Sequence, residues 1–351
     1  MGKDTIEIAG RKIGPAHPPY IIAEISANHN GNLDKALELM TAAAATGADA
    51  IKLQTYTPDT ITIDHDGPDF QIKGGLWNGY NLYSLYKEAY TPFEWHPTLF
   101  EHARKLGVHV FSTPFDDSAV DLLAGLSTPA FKIASFEAID LPLIRRAARV
   151  GKPMIISTGM ADIAEIGAAV EAARGEGCAE LVLLHCVSSY PAPADQYNLR
   201  TIRDLAERFG VIAGLSDHTL GTVVAATSVA MGACVIEKHF TLRRADGGPD
   251  SEFSLEPAEF TRLVEDARTA FSALGQVNYE RVSAEKANVQ FRRSLYIVED
   301  IKAGEPFTSD NVRSIRPGFG MPPDDIGKFV GKRARRDLKR GEATEPTMID
   351  G

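Results

Sequence analysis

Between about residue 20 and residue 275, short β-branched apolar runs alternate with helical patterns. The runs are YIIAEI (20–25), ADAIKLQ (48–54), VHVFST (108–113), AFKIAS (130–135), PMIIST (153–158), LVLLHC (181–186), VIAGLS (211–216) and CVIEKHF (234–240). Amphipathic stretches such as LDKALELMTAAAATG (33–47) and ADIAEIGAAVEAARGEG (161–177) lie between them. Continuous apolar strands separated by helices predict a parallel sheet buried on both faces. Eight such units in about 250 residues predict a (β/α)8 TIM barrel in the α/β class. A doubly wound open sheet is the alternative, but no glycine-rich dinucleotide loop follows the first run.

Two segments break the rhythm. Residues 55–92 follow the second strand and are aromatic and turn-rich, too long for a plain connection. On a barrel they stand over the catalytic face, where Trp77 and the tyrosines either line a sugar or simply pack the excursion. After about residue 275 short strands and Gly/Pro turns take over, with more Arg and Lys. The reading is a barrel over 1–275, a linker over 276–290 and a small separate domain over 291–351.

Composition narrows the function classes. The chain has 351 residues, 44% of them hydrophobic, and a net charge of −10. An acidic chain argues against non-specific nucleic-acid binding, which needs many phosphate-facing cations. No run of about 20 apolar residues exists, so no membrane span is expected. Three widely spaced cysteines, Cys178, Cys186 and Cys234, and no apolar leader core suit a reducing cytoplasm.

Polar residues collect at the C-terminal ends of the strands, the end where barrel enzymes do their chemistry. Glu24 closes the first strand, Lys52 and Gln54 lie on the second, and Thr113 ends the third. Lys132 and Ser135 lie on the fourth, Ser157 ends the fifth and Ser188 follows the sixth. Ser216 and His218 follow the seventh, and His239 ends the eighth. Packing explains any one of them, but not a polar group on every strand. His218 and His239 sit on neighbouring strands and are paired candidates for a divalent cation, with Glu24 next to them across the barrel closure. Two imidazoles, a carboxylate and open positions suit Mn²⁺, Mg²⁺ or Co²⁺, and such an ion polarises a carbonyl as a Lewis acid. Lys52, Lys132 and the hydroxyls make a cradle for a small phosphate- and carboxylate-bearing anion. Two other readings of the lysines stay open: Schiff-base chemistry, or ion pairs with Glu24 or Glu137.

The stretches IIAEISANHNG, GADAIKLQTYTPDTIT, FSTPFD, KIASFE, ISTGM, HCVSSYPAP, GLSDHT, EKHFTL and GPDSEFSLEP resemble the sialic acid synthase family over nearly the whole chain. VEDIKAGEPFTSDNVRSIRPGFG resembles the antifreeze-like (SAF) β-clip domain that completes that family. LQTYTPDTIT and NGYNLYSLYKEAYTPFEWH look most like the branch that makes pseudaminic acid, with N-acetylneuraminate and legionaminic acid synthases as alternatives. Where N-acetylneuraminate synthases carry Gly-Val or Gly-Ile, this chain has Ser26-Ala27. The resemblance implies condensation of phosphoenolpyruvate with an N-acetylated amino sugar to a nine-carbon α-keto acid and phosphate. It implies that His218 and His239 hold the metal, and that Lys52, Thr113, Lys132, Ser135, Ser157, Ser188 and Ser216 hold phosphoenolpyruvate. Glu24, Gln54, Glu137, Tyr190 and Asp250 are then expected near the reacting sugar, with Glu24 and Asp250 in catalytic roles. Arg316, in SIRPGFG, matches an arginine that reaches a partner subunit, which implies a domain-swapped homodimer. The rivals from other classes are a Schiff-base pyruvate lyase and a non-enzymatic surface-binding protein.

Overall fold

The computed structural model describes residues 4–350. The chain divides into two compact units, Met1–Gly275 and Gln276–Gly351. The first opens with an antiparallel hairpin of β1 (Ile6–Ile8) and β2 (Arg11–Ile13). Eight parallel strands then close a barrel: β3 (Tyr20–Glu24), β4 (Ala50–Thr55), β5 (His109–Pro114), β6 (Phe131–Ile133), β7 (Met154–Ser157), β8 (Leu181–Cys186), β9 (Ile212–Asp217) and β10 (Val235–His239), with β10 pairing back onto β3. All eight runs read from the sequence are barrel strands.

Period-two alternation sorts each strand. On β3, Ile21 and Ala23 pack outward against the helices, whereas Tyr20 and Ile22 face the barrel interior. The interior is therefore layered. Its lower part holds Tyr20, Ile22, Phe111, Ile155, Val182, Leu184, Ile212 and Val235, and the β1–β2 hairpin adds Ile6, Ile8 and Ile13 beneath them as a floor. Each buried branched side chain there contributes about 1.5–3 kcal/mol. Two residues further along each strand the same face turns polar. Gly214 marks how tight the packing is, since a Cβ there would lie 2.2 Å from the Val235 carbonyl oxygen.

The outer helices end on local signals. Asn32 caps the helix Leu33–Ala45 by accepting from the Lys35 amide, and Asp162 forms a capping box with Glu165 on Ile163–Gly175. Gly107 and Gly210 close the helices His96–Leu106 and Thr201–Phe209 in the left-handed conformation. Among the described residues, no helix is long and apolar enough to cross a membrane.

The second unit begins with the short helix Ser283–Lys286 and a 3-10 turn, Ala287–Phe291. Its antiparallel pair β11 (Ser294–Ile297) and β12 (Val312–Ile315) packs around Leu295, Ile297, Phe307, Val312, Phe329, Leu338 and Met348.

Candidate active site

The strand registers bring the inward polar residues into two tiers. The deeper tier is ionic. Lys52 Nζ lies 2.8 Å from Glu24 Oε2 and 3.0 Å from Glu237 Oε1, and Lys132 Nζ is 3.7 Å from the same Glu237 oxygen. All four side chains are almost wholly buried. Two ammoniums and two carboxylates therefore balance: the Lys52–Glu24 ion pair left open by the sequence is present, and a second carboxylate, Glu237, joins it. Glu237 is the residue that sequence reasoning missed. The signal was present: it lies two positions before His239 on the same strand, so both face inward.

The four groups titrate apart. Burial pushes the Glu24 carboxyl up to about 7, with the Lys52 ammonium pulling against it. Burial also works to raise Glu237, but Lys132 and Lys52 outweigh it and hold the carboxyl below its ordinary range. Burial brings Lys132 down to about 8, the Glu237 carboxylate limiting the fall.

Hydroxyls surround this tier. Thr113 Oγ1 accepts from Lys52 Nζ at 3.5 Å, and Ser216 Oγ donates to Glu237 at 3.3 Å. Ser135 Oγ accepts from the Gly159 amide at 3.2 Å, and Ser157 Oγ is buried without a hydrogen-bond partner among the described residues. A Cβ on Gly159 would strike Ser188 Oγ at 2.2 Å and Ser135 Oγ at 2.8 Å, so glycine keeps these hydroxyls close together.

The upper tier carries the imidazoles. The His218 and His239 ring centroids are 5.4 Å apart. His218 Nδ1 is 3.0 Å from the Val187 carbonyl oxygen. That oxygen can only accept, so Nδ1 carries the proton, and Nε2 is the nitrogen free to ligate once the ring is neutral; burial works to lower this ring's pKa, but Cys186 and the Val187 carbonyl outweigh it and hold it above the ordinary histidine value. His239 Nδ1 is buried with no partner among the described residues, and burial beside His218 holds this ring's pKa well below the ordinary histidine value. Two adjacent lone pairs, one of them orphaned, fit a divalent cation. Glu24 does not complete that site as expected: its Oε1 accepts from the Ser26 amide at 2.8 Å and its Oε2 faces Lys52. No cluster of three or more His, Cys, Asp or Glu side chains placed to hold a metal occurs among the described residues.

Behind the histidines a second ion pair fixes their strands. Lys238 Nζ is 2.7 Å from Asp217 Oδ2 and also donates to the Thr219 carbonyl; both charged side chains are fully buried. Asp217 Oδ1 accepts from the Thr219 amide and hydroxyl at 2.9 and 2.8 Å. Tyr197 Oη accepts from the His218 amide at 2.7 Å.

Beside the imidazoles lies a clasp of polar groups. Ser26 holds a left-handed φ of 44°, unusual for a residue with a Cβ. Its hydroxyl contacts Asp250 Oδ2 and accepts from Gln54 Nε2 at 3.1 Å. Tyr190 lies tilted against His218 with centroids 4.5 Å apart, and Trp77 meets Tyr190 at 5.3 Å.

A cavity of about 390 Å³ joins these groups. Lys52, Gln54, Lys132, Ser135, Glu137, Ser157, Tyr190, Ser216, His218, Glu237, His239 and Asp250 all line it. Glu24 and Thr113 contact the lining Lys52 from behind, and neither they nor Ser188 are among the lining residues. Arg316 belongs to the second unit, is exposed, and has no hydrogen bond or ion pair among the described residues. The three cysteines are free thiols.

Comparison with known proteins identifies the family. Residues 39–279 match the NeuB family and residues 292–349 the SAF domain. The pseudaminic acid synthase of Campylobacter jejuni subsp. jejuni serotype O:2 is 46% identical over 92% of this chain and 94% of its own. The pseudaminic acid synthase of Helicobacter pylori is 43% identical over 95% and 97%. Among solved structures, the N-acetylneuraminic acid synthetase of Leptospira borgpetersenii superposes with a TM-score of 0.72 at 32% identity, over 81% of this chain and 95% of that one.

Proposed function

We infer the function from one premise: the chain belongs to the NeuB family. The reading it supports is pseudaminic acid synthase. Phosphoenolpyruvate condenses with 2,4-diacetamido-2,4,6-trideoxy-β-L-altropyranose and water, giving pseudaminic acid and phosphate. The observation that carries it is the inward Lys52–Lys132 pair with its hydroxyl collar, opening directly beneath two imidazoles.

Lys52 and Lys132 face the phosphate and carboxylate of the enol, and Ser135, Ser157 and Ser216 donate to its oxygens. Those contacts aim the methylene carbon at the aldehyde carbon of the open-chain sugar, and a C–C bond forms. His218 and His239 are the residues that would hold a divalent ion, which when bound supplies Lewis acidity toward the sugar carbonyl. Water adds at C2, and the C–O bond to phosphate breaks. Glu24 holds or releases a proton near neutral pH and is placed to serve that water. Asp250, aligned by Ser26, takes a sugar hydroxyl. Arg316 is assigned to the acceptor end of a partner subunit's site, in a cytoplasmic homodimer.

The test is phosphate release by the full chain from phosphoenolpyruvate labelled with ¹⁸O in the bridging position, offered with the altrose derivative, its legionaminic counterpart and N-acetylmannosamine. Label in the phosphate, fastest turnover with the altrose derivative, and loss of activity in EDTA restored by Mn²⁺ are expected. A borohydride-trapped pyruvate adduct on Lys52 or Lys132 overturns the mechanism; faster turnover of another sugar overturns the acceptor.

A further inference from the structure

The cavity is two-ended. Its strand-end half carries the lysines, Glu237 and the imidazoles; the 55–92 excursion lines the rest with Tyr56 and Tyr86 and with five aliphatic residues, Ile61, Ile72, Leu82, Leu85 and Ala89. None of these five has a polar side-chain atom. Trp77 extends the wall, and its indole N–H already donates to the Pro249 carbonyl at 2.8 Å. Leu85 and Ala89 are buried, and Ile61, Ile72 and Leu82 half-buried, although all five lie outside the barrel core.

The wall is held in place. Asn81 caps the helix Leu82–Ala89, accepting from the Tyr83 and Ser84 amides, and its Nδ2 donates to the His65 carbonyl at 2.8 Å. The Ile72 amide donates to the Tyr80 carbonyl at 2.8 Å, fixing a local hairpin. Where the excursion ends, His96 Nε2 and Thr55 Oγ1 of β4 are 2.8 Å apart, both buried.

A hydroxyl pressed against the Ile61, Ile72, Leu82 and Leu85 side chains finds no partner in them, whereas a methyl fits without loss. Resting on the synthase reading above, we propose that Ile61, Ile72, Leu82 and Leu85 seat the deoxygenated, methyl-bearing end of the acceptor sugar. The excursion thereby sets a preference for 6-deoxy over 6-hydroxy acceptors. Apolar pockets reject a hydroxyl-bearing isostere by about 100-fold, and that is the preference expected here.

The experiment compares kcat/KM for a 6-deoxy acceptor and its 6-hydroxy counterpart, using whichever N-acetylated sugar supports phosphate release. The proteins are wild type, Ile72→Thr, Leu82→Gln and the volume-conserving Leu82→Met. The wild-type ratio should be near 100, fall to about 10 or below in Ile72→Thr and Leu82→Gln, and persist in Leu82→Met, with the phosphoenolpyruvate KM constant throughout. A wild-type ratio near 1 overturns the proposal even if the variants misfold. So does an unchanged ratio in the two polar variants. Release of phosphate with no N-acetylated sugar at all defeats the synthase reading instead, and this proposal with it.

Discussion

Glu237→Gln perturbs the charge balance at the bottom of the pocket. Glu237 Oε1 is 3.0 Å from Lys52 Nζ and 3.7 Å from Lys132 Nζ. At an effective dielectric of about 20 these separations correspond to about 5.5 and 4.5 kcal/mol of attraction. Desolvation of the buried ions offsets most of that gain, but deleting one partner leaves the others stranded, at a cost of about 3–5 kcal/mol. The ligand-free variant should lose that stability, a midpoint fall of about 6–10 °C at roughly 2 °C per kcal/mol. Phosphoenolpyruvate brings negative charge to the same two ammoniums. Saturating phosphoenolpyruvate should therefore raise the variant's midpoint by more than it raises that of wild type. Calorimetric melts with and without phosphoenolpyruvate measure both effects. Equal midpoints without ligand, or equal increments with it, would refute the reasoning.

Four further outcomes follow from the same geometry. Burial pushes both Glu24 and Glu137 from an ordinary 4.5 up to about 7; such groups bind protons more tightly when folded, so their contribution to stability is complete below pH 4.5 and fades as pH rises through 7. Glu137→Gln should flatten that part of the stability–pH curve, and an unaltered curve in chemical denaturation contradicts the assignment. Ser26→Gly relieves a strained φ but unties Asp250 and Gln54; stability should hold or rise while the acceptor KM increases about tenfold and the phosphoenolpyruvate KM does not move. Glu24→Gln should abolish phosphate release yet still bind phosphoenolpyruvate by calorimetric titration; full turnover removes it from the mechanism. Arg316→Ala should raise the acceptor KM, and mixing it with Glu24→Gln should create a fraction of sites with the wild-type acceptor KM if each site borrows the partner's arginine; equal effects on both substrates, or mixtures that show only the raised KM, argue against the shared site.

The barrel was legible because its signal is repeated. Eight apolar runs with polar C-terminal ends leave few other folds, and alternation placed Lys52, Lys132, Ser157 and His239 inward. What escaped was partnership. The run VIEKHFTL reads as apolar with a histidine at its edge, and Glu237 within it looks like an interruption until the lysines from two other strands converge on it. Likewise Glu24 sits beside His239 in register, which suggests a shared ion, yet it also sits beside Lys52, and the ammonium claims its Oε2. Adjacency follows from strand order; which neighbour wins depends on side-chain reach. In the 55–92 excursion the aromatics drew attention, while its isoleucines and leucines, which have no periodic pattern to orient them, form the wall.

Among the described residues, Ile6, Ile8 and Ile13 of the hairpin plug the lower end of the barrel, so traffic passes through the opposite opening. On the proposed reading the enolpyruvyl anion occupies the inner berth and the sugar the outer one, so boarding is sequential and an early sugar bars the way. On the same reading departure runs in reverse, the larger keto acid leaving before phosphate.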